Sequence, residues 1–190
     1  MKIIYLIRHS TPKRINVPNK EIPLSEEGIL KANKLKEIIN LNEIDEVYSS
    51  SYKRAYETAK ILSDNVIIDN RLDERKIGNL TNIPKSMWIT QLYDEDAKAP
   101  NGESRKEVTN RMLDFINSIK DNKTVVAVSH AATITFFLLH YCKLEDVDLE
   151  TKSRHITFNG KDVINGLFNT PEVFKLTFDN DNLIDIIKLS

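Results

Sequence analysis

Short apolar runs at Lys2–Ile7, Glu46–Ser49 and Thr124–Val128 are each followed by a polar break and then by apolar residues at helical spacing. A chain of this kind buries its strands between helices, which makes it an α/β layer fold with a largely parallel sheet. Lys2–Ile7 is apolar throughout rather than alternating, as a strand covered on both faces should be. Beyond a loop with Pro12, Pro18 and Pro23, Ser25 can cap a helix whose inner face is Ile29, Ala32, Leu35 and Ile39. Ala55, Ala59 and Leu62 mark a second helix, and Val66–Ile68 a short third strand. Ser104-x-x-Glu107 is a capping box that opens a helix lined by Val108, Met112, Phe115, Ile116 and Ile119. A further helix is predicted over Ala132–Leu139. Val173–Phe178 and Leu183–Leu189 read as an antiparallel pair around a polar turn.

Residues 70–101 show no clean period and contain Gly78, Pro84 and Pro100, so they read as a lid-like excursion with a short helix around Trp88. Lys plus Arg number 27 against 28 Asp plus Glu, which argues against charge-driven contact with nucleic acid or an anionic membrane. Cys142 is the only cysteine, so an internal disulfide and a thiolate zinc site are both excluded, and a reducing, cytoplasmic setting fits. The run Val125–Cys142 is broken by Ser129, His130, Thr133, Thr135 and His140, which suits a buried strand and helix rather than a membrane span. Ile3–Ile7 is too short for the core of a signal peptide. Oligomeric state stays open.

In open α/β sheets ligands bind beyond the carboxyl ends of the strands. Three strand ends here carry Arg8-His9, Ser49-Ser50-Ser51 with Arg54 just beyond, and Ser129-His130. The chain has 5 glycines, no two close together, so neither a P-loop nor a dinucleotide fingerprint can be written. A phosphate here must be held by arginine forks and helix N-termini. A histidine among arginines is pushed toward its neutral, nucleophilic form, and a backbone acceptor on one ring nitrogen would fix its tautomer. A leaving alkoxide needs a proton from a buried carboxylic acid, but many carboxylates could serve on chemistry alone.

Arg8-His9, Ser49-Ser50-x-x-x-Arg54-Ala55-x-Glu57-Thr58, Leu72-Asp73-Glu74-Arg75-x-x-Gly78, Gly102-Glu103-Ser104 and Val128-Ser129-His130 form an ordered series. In order and spacing it resembles the histidine phosphatase superfamily, the phosphoglycerate mutase-like proteins. The resemblance implies a three-layer sandwich with a mostly parallel central sheet and helices on both faces. It implies a single domain over 1–190, with 70–101 as its lid-like excursion. It assigns His9 as the phosphohistidine nucleophile, with Arg8, Arg54 and His130 as the rest of the phosphate pocket. Glu74 becomes the proton donor and later the base for water, and Ala131 contributes a backbone N–H to phosphate. Ser10 stands where the family usually has glycine; it is small enough to fit and able to donate to phosphate. Pro23-Leu24-Ser25-x-x-Gly28 matches the entry into the first helix. The implied activity is hydrolysis of a small phosphorylated metabolite, without metal or organic cofactor. A phosphoglycerate mutase is the first alternative, disfavoured by the short 70–101 excursion; a non-catalytic phosphate-binding protein is the second.

Overall fold

The computed structural model describes residues 1–79, 81 and 87–190. In chain order these form β1 (Lys2–Arg8), α1 (Glu26–Asn33), α2 (Leu35–Ile38), β2 (Glu46–Ser49), α3 (Lys53–Leu62), β3 (Val66–Ile68), α4 (Met87–Tyr93), α5 (Arg105–Ser118), β4 (Thr124–Ser129) and α6 (Ala131–Leu138). Five strands follow: β5 (Lys143–Val147), β6 (Arg154–Phe158), β7 (Lys161–Gly166), β8 (Glu172–Asp179) and β9 (Asn182–Lys188).

The fold is α/β with a mixed sheet of six strands in the order β3-β2-β4-β1-β8-β9. Pairing is parallel from β3 through β2 and β4 to β1, as the strand–helix alternation predicts. It turns antiparallel from β1 to β8 and from β8 to β9. The expected C-terminal pair therefore extends the same sheet and makes it less parallel than expected. The cause lies in the connection: α6 leads the chain back from the end of β4, and residues 143–166 reverse it once more, so that β8 enters against β1. These residues form a separate antiparallel sheet, β5-β6-β7, which periodicity did not announce.

Alternate residues of the central strands enter two apolar clusters, which is why β1 and β4 read as unbroken apolar runs. Ile4, Leu6, Val125 and Ala127 pack with Met112, Phe115, Ile134 and Phe137 of α5 and α6. Tyr5, Ile7, Val126 and Val128 pack with Ala32, Leu35, Ala55 and Ala59 of α1, α2 and α3. The capping box forms as predicted, with Ser104 Oγ accepting from the Glu107 N–H and Glu107 from the Ser104 N–H. The first predicted helix is broken at Lys34, which caps α1 and leads into α2. Within the 70–101 excursion α4 carries Trp88. Residues 80 and 82–86 of that excursion, Pro84 among them, lie outside the described residues. No helix among the described residues is long and apolar enough to cross a membrane.

Gly28 joins the loop after β1 to α1. A β-carbon there would stand 2.1 Å from the Thr11 carbonyl oxygen. That oxygen already accepts from the Ser25 N–H at 3.0 Å, so it has no freedom to withdraw. Gly28→Ala is therefore expected to destabilise the fold by about 3 kcal/mol, the upper end of overpacking costs. Urea unfolding checks this; an unchanged midpoint would show that the loop yields freely.

Candidate active site

The parallel register brings three strand ends level. Arg8 pairs with Ser129, and Ser49 with Val128. The ladder continues one step past the strands, through His9 N–H to Ser129 O and Ser50 N–H to Val128 O, both 3.0 Å. His9, Ser50 and His130 thus lie side by side, where α3 and α6 begin; His130 is the N-cap of α6.

The tautomers follow from what each neighbour can donate or accept. His9 Nδ1 lies 2.7 Å from the Ser10 carbonyl oxygen, which only accepts, so Nδ1 carries the proton. His9 Nε2 receives the Arg54 Nε–H at 3.0 Å, so Nε2 presents its lone pair. His9 is buried, and burial first, with Arg54 and Arg8 adding to it, lowers its pKa to about 3. The ring is neutral at ordinary pH, with Nδ1 held as the donor and Nε2 as the acceptor.

Arg54 links both histidines. Its terminal N–H faces His130 Nδ1 at 3.3 Å, and its other arm donates to the Asn19 carbonyl at 2.7 Å. Arg54 only donates, so His130 Nδ1 is unprotonated and Nε2–H points to Ser50 Oγ at 2.8 Å. Ser50 passes its own hydrogen to Asp73 Oδ1 at 3.1 Å, and Asp73 also accepts from the Ser51 N–H at 2.7 Å. This Asp73–Ser50–His130 chain sets the His130 ring. It was missed from sequence because Ser50, Ser51 and Asp73 read only as motif letters, and serines at strand ends are common. Burial, reinforced by His9 and Arg54, pushes the His130 pKa well down.

Glu74 approaches from the segment after β3, with its Oε2 3.9 Å from His130 Nδ1. Its Oε1 accepts the Arg75 N–H at 2.9 Å. Burial raises the Glu74 pKa against the pull of that bond and of Arg54 and Arg75. Neighbouring Asp73, tied to the serines, faces the other way. The structure so separates two adjacent carboxylates that sequence chemistry alone left equivalent.

Arg8 donates through one arm to the Phe168 and Asn169 carbonyls, at 2.5 and 2.9 Å, while its Nε is buried without a partner among the described residues. Ala131 opens α6 and lines a cleft beside Glu74. Ser10 departs from expectation. Its hydroxyl donates to the Gly28 carbonyl at 2.7 Å and its N–H to Thr58 Oγ1 at 3.0 Å. Fully buried and turned toward α1, the side chain holds the loop after β1 in place, and its hydroxyl is committed to the Gly28 carbonyl. Among the described residues no three His, Cys, Asp or Glu side chains converge as metal ligands.

Arg8 and His9 at the end of β1, Arg54 in the first turn of α3 and His130 just after β4 form a cationic and imidazole cluster suited to a phosphoryl group. The chain belongs to the histidine phosphatase superfamily (branch 1), whose family model matches residues 4–158. It is 30% identical over 152 residues to the probable phosphoglycerate mutase GpmB of Yersinia pestis strain Pestoides F, covering 69% of this chain and 70% of that one. Among solved structures it is similar to the mycobacterial glucosyl-3-phosphoglycerate phosphatase in complex with inorganic phosphate. There the TM-score is 0.67 and the identity 20%, over 99% of this chain and 95% of the other. The protein histidine phosphatase SixA in complex with tungstate gives a TM-score of 0.58 at 14% identity, over 98% and 96%.

Proposed function

We propose that this protein hydrolyses a small phosphomonoester through a phosphohistidine on His9. The observation that carries the proposal is the His9 ring itself, buried and neutral, with Nδ1 fixed by the Ser10 carbonyl and the Nε2 lone pair held by Arg54 Nε–H, a donor that an arriving phosphoryl oxygen can take over. Arg8 and Arg54 bring fixed positive charge to the equatorial phosphoryl oxygens, so that charge building up in the transfer meets donors already in place. The first N–H of α6, at Ala131, adds to that field.

His130 is neutral with a lone pair toward the pocket. A phosphate dianion arriving there reverses the local field, so that Nδ1 takes up a proton from solvent as the substrate binds and the ring becomes a donor to the phosphoryl group. The Ser50–Asp73 chain holds the ring through that change. Glu74, whose acid form burial favours, gives its proton to the departing oxygen. The resulting carboxylate then takes a proton from the water that attacks the phosphohistidine, and the cycle closes. On this proposal residues 1–190 act as one cytoplasmic domain with 70–101 as its lid-like excursion, and the chemistry needs no metal or organic cofactor.

The test is to mix the protein with an aryl phosphate, quench in base and map the label. An acid-labile, base-stable phosphoryl group on His9 is expected; label elsewhere, or none on any time scale, overturns the proposal. The names of the mutase relatives favour one other reading, return of the phosphoryl group to a second hydroxyl. Release of inorganic phosphate without isomerised 3-phosphoglycerate would exclude it. Isomerised 3-phosphoglycerate without phosphate release would establish it.

A further inference from the structure

If Glu74 protonates the leaving oxygen, the alcohol bearing that oxygen must lie against its carboxyl. Glu74 lines a cleft of about 240 Å³ together with Arg75, Trp88, Ala131, Lys152 and Arg154. The leaving group's substituents therefore meet whatever that cleft presents, and its walls carry three cations.

Arg154, at the start of β6, is the unusual one. Its guanidinium lies over the Trp88 ring at 5.9 Å and the Phe168 ring at 5.4 Å, and Phe168 carries Arg8 at 5.5 Å on its way to the pocket. Its Nε is buried without a partner, and no hydrogen bond or ion pair of the group is found among the described residues. Arg75 beside it donates through Nη1 to Gln91, although its Nε too is buried without a partner among the described residues, and Arg111 and Arg71 are paired with Glu103 and Asp69. A half-buried cation held only by aromatic faces carries a desolvation cost that a bound anion would offset. The nearest fixed charges add to the strain. Burial and then Arg8 lower its pKa, and only Glu172 opposes them.

We propose, on the mechanism above, that Arg154, with Lys152 and Arg75 beside it, binds a second anionic group on the substrate, a carboxylate or a second phosphate on the leaving alcohol. The guanidinium fork suits either group bidentately. The pair Arg8 and Arg154 on the shared Phe168 ring then spaces the two anions of one small molecule. β5-β6-β7, the small sheet that supplies Arg154 and carries Lys152 in the turn between β5 and β6, becomes the element that selects substrate.

Matched esters test this. 3-Phosphoglycerate is compared with glycerol 3-phosphate, and 1,3-propanediol bisphosphate with propyl phosphate, in the wild type and in Arg154→Gln, Arg154→Lys and Lys152→Ala. The wild type is expected to favour the doubly anionic member of one pair by about tenfold or more in kcat/KM, as charged hydrogen bonds allow. The favoured pair says whether carboxylate or phosphate is read. Arg154→Gln should erase the preference through KM, with Arg154→Lys and Lys152→Ala retaining part of it. Turnover of 4-nitrophenyl phosphate, which has no second anion, should stay within about twofold and report that the variant is folded. A wild type that hydrolyses 4-nitrophenyl phosphate yet prefers neither anionic ester overturns the subsite alone. So does a preference that survives Arg154→Gln. A wild type that releases phosphate from no ester overturns the phosphatase reading, and the subsite with it.

Discussion

His9→Ala is expected to lower turnover of 4-nitrophenyl phosphate by about 10⁴-fold or more, the scale seen when a covalent nucleophile is removed. The loss should lie in kcat, because Arg8, Arg54 and His130 remain to hold the phosphate. It should also be specific to chemistry. His9 lies outside the apolar clusters; its side-chain hydrogen bonds go to the Ser10 carbonyl and to Arg54, and the strand ladder to Ser129 runs through its backbone. The variant should therefore fold and bind inorganic phosphate, while taking up no acid-labile phosphoryl group. Folded protein with wild-type turnover would mean that water, not His9, attacks phosphorus. His130→Ala separates the two histidines. It should slow phosphoryl transfer yet still let a stable phosphohistidine form, since the attacking nitrogen is untouched.

How much of this could be read from the chain varies with the physics behind each feature. The parallel half of the sheet was legible because strands buried on both faces leave unbroken apolar runs, and Ile4 and Leu6 on one face with Tyr5 and Ile7 on the other are the reason. The same rule located the convergence of Arg8, His9, Arg54 and His130, since level strand ends follow from parallel register. The small sheet of Lys143–Gly166 escaped because its strands are mostly polar and irregular, with register shifts in both pairings. Its pattern had no period to read. The antiparallel return of β8 beside β1 was half legible: the hairpin with β9 was visible in sequence, its docking partner was not.

At the site, residue type predicted charge but not direction. Ser10 shows this most plainly. Its size was read correctly, but a hydroxyl can turn either way, and here Gly28 and Thr58 satisfy it on the side away from the pocket. Ser50 shows the converse, an ordinary serine that orients the His130 ring because Asp73 and His130 flank it. Arg154 lay outside every motif quoted above. Its significance rests on the absence of partners among the described residues, a property that only three dimensions display.

Glu74→Gln is expected to reduce hydrolysis of an alkyl phosphate by about 10²- to 10⁴-fold, the contribution usual for a general acid or base. The reduction should depend on the leaving group. An alkoxide needs the proton that Gln cannot give, whereas 4-nitrophenolate departs without it. With the aryl ester the first step therefore survives and the second fails, since no carboxylate remains to activate water. A burst of 4-nitrophenol followed by a long-lived phosphohistidine is the expected signature. The pH dependence follows from the same groups. The Glu74 pKa is raised by burial, so its acid form persists above the ordinary carboxylic range and is lost as pH climbs through the raised value. The His9 pKa is lowered to about 3, so the nucleophile is lost only as pH falls through that region. In the wild type kcat/KM for an alkyl ester should be a bell between these limits, beyond any ionisation of the substrate itself. In Glu74→Gln the alkaline limb due to the enzyme should vanish while the acid limb stays. A variant that kept the wild-type limb, and lost alkyl and aryl esters equally, would show that Glu74 only positions its neighbours and that another group carries the proton.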